Sequence, residues 1–582
     1  MSPRPRRIAG TLVALGLLLA VPAAPAGAHA TLSGVSPQRG AVLRTAPGAV
    51  VFRFSEPVTG TAGAVRVYGP RGARVDDGAA FHPGGQPKAY GVRLRSGLGG
   101  GTYTATYQVI SADGHVVGAG STFSIGAPSA TSASVSALLE RQRAGPVTRT
   151  ALTFARGVQF AAIALGVGVL VFLLFVWPRA LARVRGDAAP WEAAAAAFTR
   201  RSKALVLGSA VAGAVSAALA VGLDAASASG ETLAGAVTGG ALSDTLGARF
   251  GTVWGVAVLV WIVLGAGAAA LLRPDPRGAQ RGAAFLLLLP AAYLVLVPGL
   301  GGHAGAVSPT WLLLPANAVH VAAAAVWAGG IATLLFALRP ATARLDPGDR
   351  TRLLVEVVGG FSAVALAAVL ALVVSGVIQA IGFLGQVSDL LDTAYGRLVL
   401  VKSILLTGLV ALGALQRRRS LPGLRAAAAQ GMPPAAAGRL LRDLLRTEGA
   451  LLVAVFVVTA VLSGTAPPSG VATGPVNLSG RIGPAQFEAT VDPATVGANT
   501  IHLYLLDPRT GAQWNRASEV DISARQPKRG IGPLEQKATK SGPGHYTAAG
   551  MQLGAPGTWV VQFSVRVGDF DQYTATRKVP VR

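Results

Sequence analysis

Residues 357–383 read VVGGFSAVALAAVLALVVSGVIQAIGF, and no side chain in the stretch is charged. A helix crossing the hydrocarbon core of a bilayer needs about 20 consecutive apolar residues, so this stretch is long enough to span. Seven more apolar stretches lie near residues 154–177, 204–223, 252–272, 283–300, 312–337, 398–415 and 449–466. The fourth in chain order is the weakest, with Pro290 and Pro298 inside it or at its end. An eight-span α-helical bundle over residues 151–468 is the expectation.

Loop charge orients that bundle. The loops after the first, third, fifth and seventh stretches hold 20 Arg and Lys, while the alternate loops hold 2, Arg249 and Arg397. Basic loops stay in the cytoplasm, so an even number of spans places residues 29–150 and the C-terminal tail outside it. Residues 1–28 point the same way. Arg4, Arg6 and Arg7 precede an apolar run from Ile8 to Val21, and Ala26-Gly27-Ala28 forms a small-residue cleavage site, together a secretory signal. Cleavage there leaves His29 at the new N-terminus.

Composition agrees. The chain has 582 residues, 51% hydrophobic and only 13% charged, with mean hydropathy +0.50; soluble chains carry about 25% charged residues. The net charge of +25 would suggest nucleic acid. Most of the excess, however, sits in short loops between apolar stretches, so the expected partner is the lipid bilayer and not nucleic acid. Cys is absent, which excludes disulfides, zinc ribbons and iron–sulfur clusters. The three Met (Met1, Met432, Met551) exclude a Met-lined path for a soft metal. There is no phosphate-cradling loop, ATPase signature or nucleophile motif, so neither an enzyme nor an ATP-driven pump is expected in this chain.

Flanking the membrane region, short runs alternate apolar and polar residues between Gly and Pro, as β-strands do. Residues 29–126 include Ala49-Val50-Val51-Phe52-Arg53-Phe54 and Thr102-Tyr103-Thr104-Ala105-Thr106-Tyr107. Residues 469–582 include Thr500-Ile501-His502-Leu503-Tyr504-Leu505 and Trp559-Val560-Val561-Gln562-Phe563. Each segment suits an extracytoplasmic β-sandwich. Residues 127–150, rich in Ser, Ala and Arg, read as a linker.

Without Cys and nearly without Met, metal chemistry falls to carboxylates and the seven His: 29, 82, 115, 303, 320, 502 and 545. An N-terminal His29 offers its free amine and its ring nitrogen, and Asp113-Gly114-His115 adds a carboxylate and a second imidazole. Three nitrogens and an oxygen suit Cu(II) better than tetrahedral zinc. On spacing alone, Ser111-Ala112-Asp113-Gly114 reads equally as a polar turn between strands. His82 falls in a Gly/Pro loop and reads as an exposed bystander. His303 lies in an almost uncharged outer loop. His320 lies nine residues after Trp311, about 13 Å along the fifth helix. An ionisable group at that depth faces a cavity or pathway; a neutral imidazole bonded to a neighbouring helix is the alternative. His502 and His545 are isolated in sequence and read as structural.

The run His29-Ala30, Ser36-Pro37-Gln38-Arg39-Gly40, Val51-Phe52-Arg53-Phe54-Ser55-Glu56-Pro57-Val58, Ser111-Ala112-Asp113-Gly114-His115 and Gly120-Ser121-Thr122-Phe123-Ser124 resembles the CopC family of periplasmic copper proteins. That resemblance implies a Cu(II) site formed by His29, Asp113 and His115. The Met-rich Cu(I) site of some members is not carried over, since the domain has no Met. Gly302-His303-Ala304, His320 through Gly330, Tyr395 through Lys402, and Glu448-Gly449 through Pro467-Pro468 resemble the CopD family of copper-resistance membrane proteins. This implies copper movement into or across the membrane, with His303 and His320 as transport residues. Lys402, near the outer end of the seventh stretch, reads as snorkelling to the interface. Residues 469–582 resemble, more weakly, the YtkA-like domains fused to such proteins.

The resulting expectation is a multi-pass protein of the cytoplasmic membrane with both β-domains extracytoplasmic. It binds Cu(II) outside and moves copper inward. The alternative is a non-transporting chaperone supplying extracytoplasmic cuproenzymes or other copper chaperones. A third reading makes His303 and His320 haem ligands.

Overall fold

The computed structural model describes residues 30–581, except 31, 61–62, 112–115, 128, 130–134, 136–137, 140–143, 185, 187–188, 239, 274–280, 344, 469–474 and 510–512. The segment 1–28, read above as a secretory signal, and the residues His29, Asp113 and His115 therefore lie outside the described residues.

Among the described residues, eight helices are long and apolar enough to cross a membrane. They are α1 (Pro146–Val184), α2 (Ala189–Ser229), α3 (Arg249–Leu271), α4 (Gly282–Leu300), α5 (Thr310–Thr342), α6 (Pro347–Phe383), α7 (Ala394–Ala429) and α8 (Ala435–Ser463). The chain is a multi-pass membrane protein. Lipid is as apolar as leucine, so close packing rather than hydrophobicity draws spans together. Helices α1 and α5 are the most buried and α7 the least, which puts α1 and α5 at the centre and α7 at the lipid-facing edge. Glycine permits the central crossing. A Cβ on Gly168 would fall 1.9 Å from the Ala325 carbonyl oxygen, and one on Gly329 would fall 2.5 Å from the Gly168 Cα.

Several polar side chains inside the bundle meet one another, as a medium without water favours. Arg156 on α1 meets Asp224 on α2 at 3.3 Å and lies over the Phe250 ring at 5.0 Å. One turn along α1, the Ser216 hydroxyl donates to Gln159 Oε1 at 3.0 Å.

The N-terminal β-domain is a sandwich of two four-stranded sheets. Its strands are β1 (Leu32–Ser36), β2 (Val42–Leu43), β3 (Ala49–Phe54), β4 (Val65–Tyr68), β5 (Asp76–Phe81), β6 (Ala89–Leu94), β7 (Gly101–Ile110) and β8 (Val116–Ile125). The sheet orders are β1-β3-β6-β5 and β2-β8-β7-β4. Successive side chains point to opposite faces of a strand, so Val50, Phe52 and Phe54 of β3 fill the core with Tyr103, Tyr107 and Phe123. The other face of β7, bearing Thr102, Thr104, Thr106 and Gln108, is buried too. Buried polar side chains on an outer face signal that something covers it.

The C-terminal domain is built the same way from β9 (Val476–Ile482), β10 (Ala485–Asp492), β11 (Gly497–Leu506), β12 (Glu519–Gln526), β13 (Ile531–Lys537), β14 (Thr539–Gly542), β15 (His545–Leu553), β16 (Gly557–Val567) and β17 (Asp571–Val581). Its sheets run β14-β15-β11-β10-β9 and β13-β12-β16-β17, around a core centred on Trp559, Phe487 and Phe563.

Both β-domains sit on one end of the bundle. Gln108 Nε2 donates to the Ser227 carbonyl near the end of α2 at 3.3 Å, and Lys528 pairs with Asp392 in the α6–α7 connection. The domains also touch each other, through Thr122 Oγ1 and Tyr504 Oη at 2.9 Å and through Arg39 and Asp492 at 3.4 Å.

Candidate metal sites

His320 faces α6, where its Nδ1 lies 3.1 Å from the Ser375 hydroxyl. Ser375 in turn donates to the Ala371 carbonyl at 2.6 Å. Gly376 lies against the ring, where a Cβ would stand 3.5 Å from His320 Cε1, an ordinary contact. Three residues earlier on α5, hence on the same face, Asn317 donates to Gln379 Oε1 at 3.0 Å. His303, in the short turn His303–Gly305, packs edge-on against Phe383 and Tyr395 at 6.1 and 6.4 Å.

Positions 375, 379 and 383 are successive turns of α6, so these contacts form a column. His303 is at the top beside Phe383, Asn317 and Gln379 are one turn down, and His320 with Ser375 is a turn deeper. From Phe383 to Ser375 the helix advances about 12 Å. One imidazole stands at the mouth of the column and one at its floor, with two amides between.

Lys402 comes from α7. It lies eight residues into α7, about 12 Å from the helix start, while His320 lies ten residues into α5, about 15 Å. Counted from the helix starts the two residues lie at similar positions along their helices, and Lys402 is half-buried. Sequence reading also passed over Arg156–Asp224, Gln159–Ser216 and Asn317–Gln379. A polar side chain inside an apolar stretch is the signal that could have found them. Of the Trp residues, Trp177 is buried and stacked on Phe198 at 3.8 Å and Trp327 is buried, whereas Trp311 at the start of α5 is exposed.

Among the described residues, no group of three or more His, Asp and Glu converges. His82 is no bystander. Its Nδ1 donates to the Ala89 carbonyl at 2.8 Å, and its ring stands edge-on to Tyr90 at 4.8 Å, pinning the β5–β6 loop. His502 and His545, 43 positions apart, are brought together by strand pairing. β11 sets Tyr504 opposite His545 and His502 opposite Thr547. Leu503, Leu505, Tyr546 and Ala548 take the core face, which leaves His502, Tyr504, His545 and Thr547 on the outer face toward the N-terminal domain.

Burial lowers the His502 imidazole to about 4, with Arg39 adding to the effect, and lowers His545 to about 3, with His502 adding. The ordinary value is about 6.5. As pH falls through that value the unfolded chain takes up two protons that the folded chain refuses. The stability these rings contribute is therefore complete above about 6.5 and is lost as pH falls toward 4 and then 3. Melting of the metal-free chain should show this slope, and a His502→Gln, His545→Gln chain should flatten it.

Comparison with known proteins matches residues 32–126 to the CopC domain, 147–310 to the copper resistance protein D-like N-terminal domain, and 355–462 to copper resistance protein D. The copper transport protein CutJ of Bacillus subtilis is 24% identical over 555 residues, 94% of each chain. Protein YobA of Escherichia coli is 36% identical over 99 residues, 17% of this chain and 79% of YobA. Two solved structures resemble the N-terminal domain. CopC from Methylosinus trichosporium OB3b has 24% identity and TM-score 0.16, covering 17% of this chain and 95% of that one. PcoC, a methionine-rich copper resistance protein from Escherichia coli, has 27% identity and TM-score 0.14, covering 17% and 98%.

Proposed function

The chain belongs to the CopC–CopD copper proteins, joining a CopC domain and a copper resistance protein D membrane region in one polypeptide, and on that premise we propose that it captures Cu(II) outside the cytoplasmic membrane and carries copper inward. The observation that carries this reading is the column of His303, Asn317–Gln379 and His320–Ser375. It descends into the bundle from the neighbourhood of the α6–α7 connection, the end on which both β-domains sit. Imidazole is a competent copper ligand, and an ionisable side chain at that depth has a pathway as its usual reason for being there.

The excess of basic residues in the loops at the other end supports an extracytoplasmic position for the β-domains. In this reading His29, Asp113 and His115 hold Cu(II) in the N-terminal domain, and His303 and His320 receive copper in the membrane. No ATPase signature supplies a hydrolytic drive, so net movement follows the copper gradient.

The test is copper accumulation in cells grown under copper limitation. Cells lacking the protein should accumulate less copper, and the native chain should restore it. Chains with His29, Asp113 and His115 replaced by Ala should restore only a small fraction. Normal accumulation without the protein overturns uptake. If accumulation then stays normal while extracytoplasmic cuproenzymes lose their metal, the chain acts as a chaperone.

A further inference from the structure

The outer face of the C-terminal domain presents three donor atoms at one point. His502 Nδ1 and His545 Nε2 are 3.2 Å apart, and the Thr547 hydroxyl oxygen lies 3.4 Å from the first and 3.3 Å from the second. The centre of such a triangle is about 1.9 Å from every corner, and a metal–imidazole bond is about 2.0–2.1 Å. An ion seated slightly out of the plane reaches all three atoms with no movement of the strands.

The surroundings hold this arrangement still. His545 stacks on Tyr504 with ring centres 4.2 Å apart and planes 10° apart, and the Tyr504 hydroxyl is tied to Thr122 of the N-terminal domain at 2.9 Å. Gly40 covers the pair from that domain. A Cβ there would come within 3.8 Å of His545 Cε1 and 4.0 Å of His502 Cε1. The cationic group acting on His502 is Arg39, whose guanidinium is engaged by the Gly120 carbonyl at 2.9 Å and by Asp492 at 3.4 Å.

We propose that His502, His545 and Thr547 form a second copper site, placed where the C-terminal β-domain meets the CopC domain. Nitrogen and oxygen donors without thiolate favour Cu(II), with water completing the coordination. The site rests on the reading of this chain as a copper protein, but on neither the direction of transport nor the ligands of the N-terminal site. Its location gives the C-terminal domain a task, which is to hold a copper ion beside the domain that captures it.

The experiment titrates the full-length chain, embedded in lipid nanodiscs and stripped by chelator, with Cu(II) alone. Bound metal per chain is read by mass spectrometry, in a background where His29, Asp113, His115, His303 and His320 are all Ala. One Cu(II) per chain should remain, with electron paramagnetic resonance showing coupling to two imidazole nitrogens. Adding His502→Gln and His545→Gln should remove it, while Tyr504→Phe, which keeps all three donors, should retain it. No residual copper, or copper bound without imidazole coupling, overturns the proposal on the folded background chain, whether or not the Gln variants fold. The same chains assayed for accumulation report separately on uptake, so failure of this site and failure of the uptake reading leave different signatures.

Discussion

Copper bound in the membrane region should be lost in the His320→Ala chain, and copper accumulation by cells carrying it should fall to the level of cells without the protein. The imidazole is the floor of the polar column, and one turn above it Asn317 donates to Gln379 at 3.0 Å. A graded series distinguishes a ligand from a packing residue. Ser375 holds His320 Nδ1 at 3.1 Å and so directs Nε2 as the free ligand atom. Loss of such an orienting partner costs about 10–100-fold in metal affinity, so Ser375→Ala should weaken copper binding by that factor without unfolding α6. Copper affinity measured by competition with a chelator, alongside helix content, checks the order native, Ser375→Ala, His320→Ala. A Ser375→Ala chain indistinguishable from native would leave His320 as a packing residue.

The second large effect is on the bundle itself. Gly329→Val should cost more than about 3 kcal/mol, beyond the usual 1–3 kcal/mol for an added methylene in a packed core. The new atoms meet the backbone of α1 rather than a side chain that can turn aside, with a Cβ 2.5 Å from the Gly168 Cα. Gly168→Val meets the Ala325 carbonyl at 1.9 Å and should cost a similar amount. The two act at one crossing, so the double variant should be much less unfavourable than the separate costs combined. Gly208→Ala, with open space around its Cβ, should cost nothing and serves as the control. Unfolding in detergent followed by Trp fluorescence reads all four.

Much of this was legible in order along the chain. A bilayer selects long uncharged stretches, and that selection acts on composition alone, so the eight spans could be counted from hydropathy and loop charge. Even the weak fourth stretch with Pro290 and Pro298 forms a helix, Gly282–Leu300. The β-domains were legible through their alternation, and the two families through contiguous motifs such as Ser36-Pro37-Gln38-Arg39-Gly40. Helix α7 begins at Ala394, several residues before the apolar stretch that starts at residue 398.

What the sequence by itself determined was which segments lie in lipid, which form sheets, and which residue types remain to bind a metal. Those properties depend on local composition and on periods of 2 and 3.6, which neighbours in the chain carry unaided. The tertiary structure alone decided which of these residues meet. His320 faces Ser375, Asn317 faces Gln379 and Arg156 faces Asp224, each across 55 or more positions of chain. His502 reaches His545 because one register of β11 on β15 sets their outer faces side by side. A slip of one residue would turn either imidazole into the core, and no local pattern specifies that register. It is set by the whole set of side chains that the two sheets bury between them.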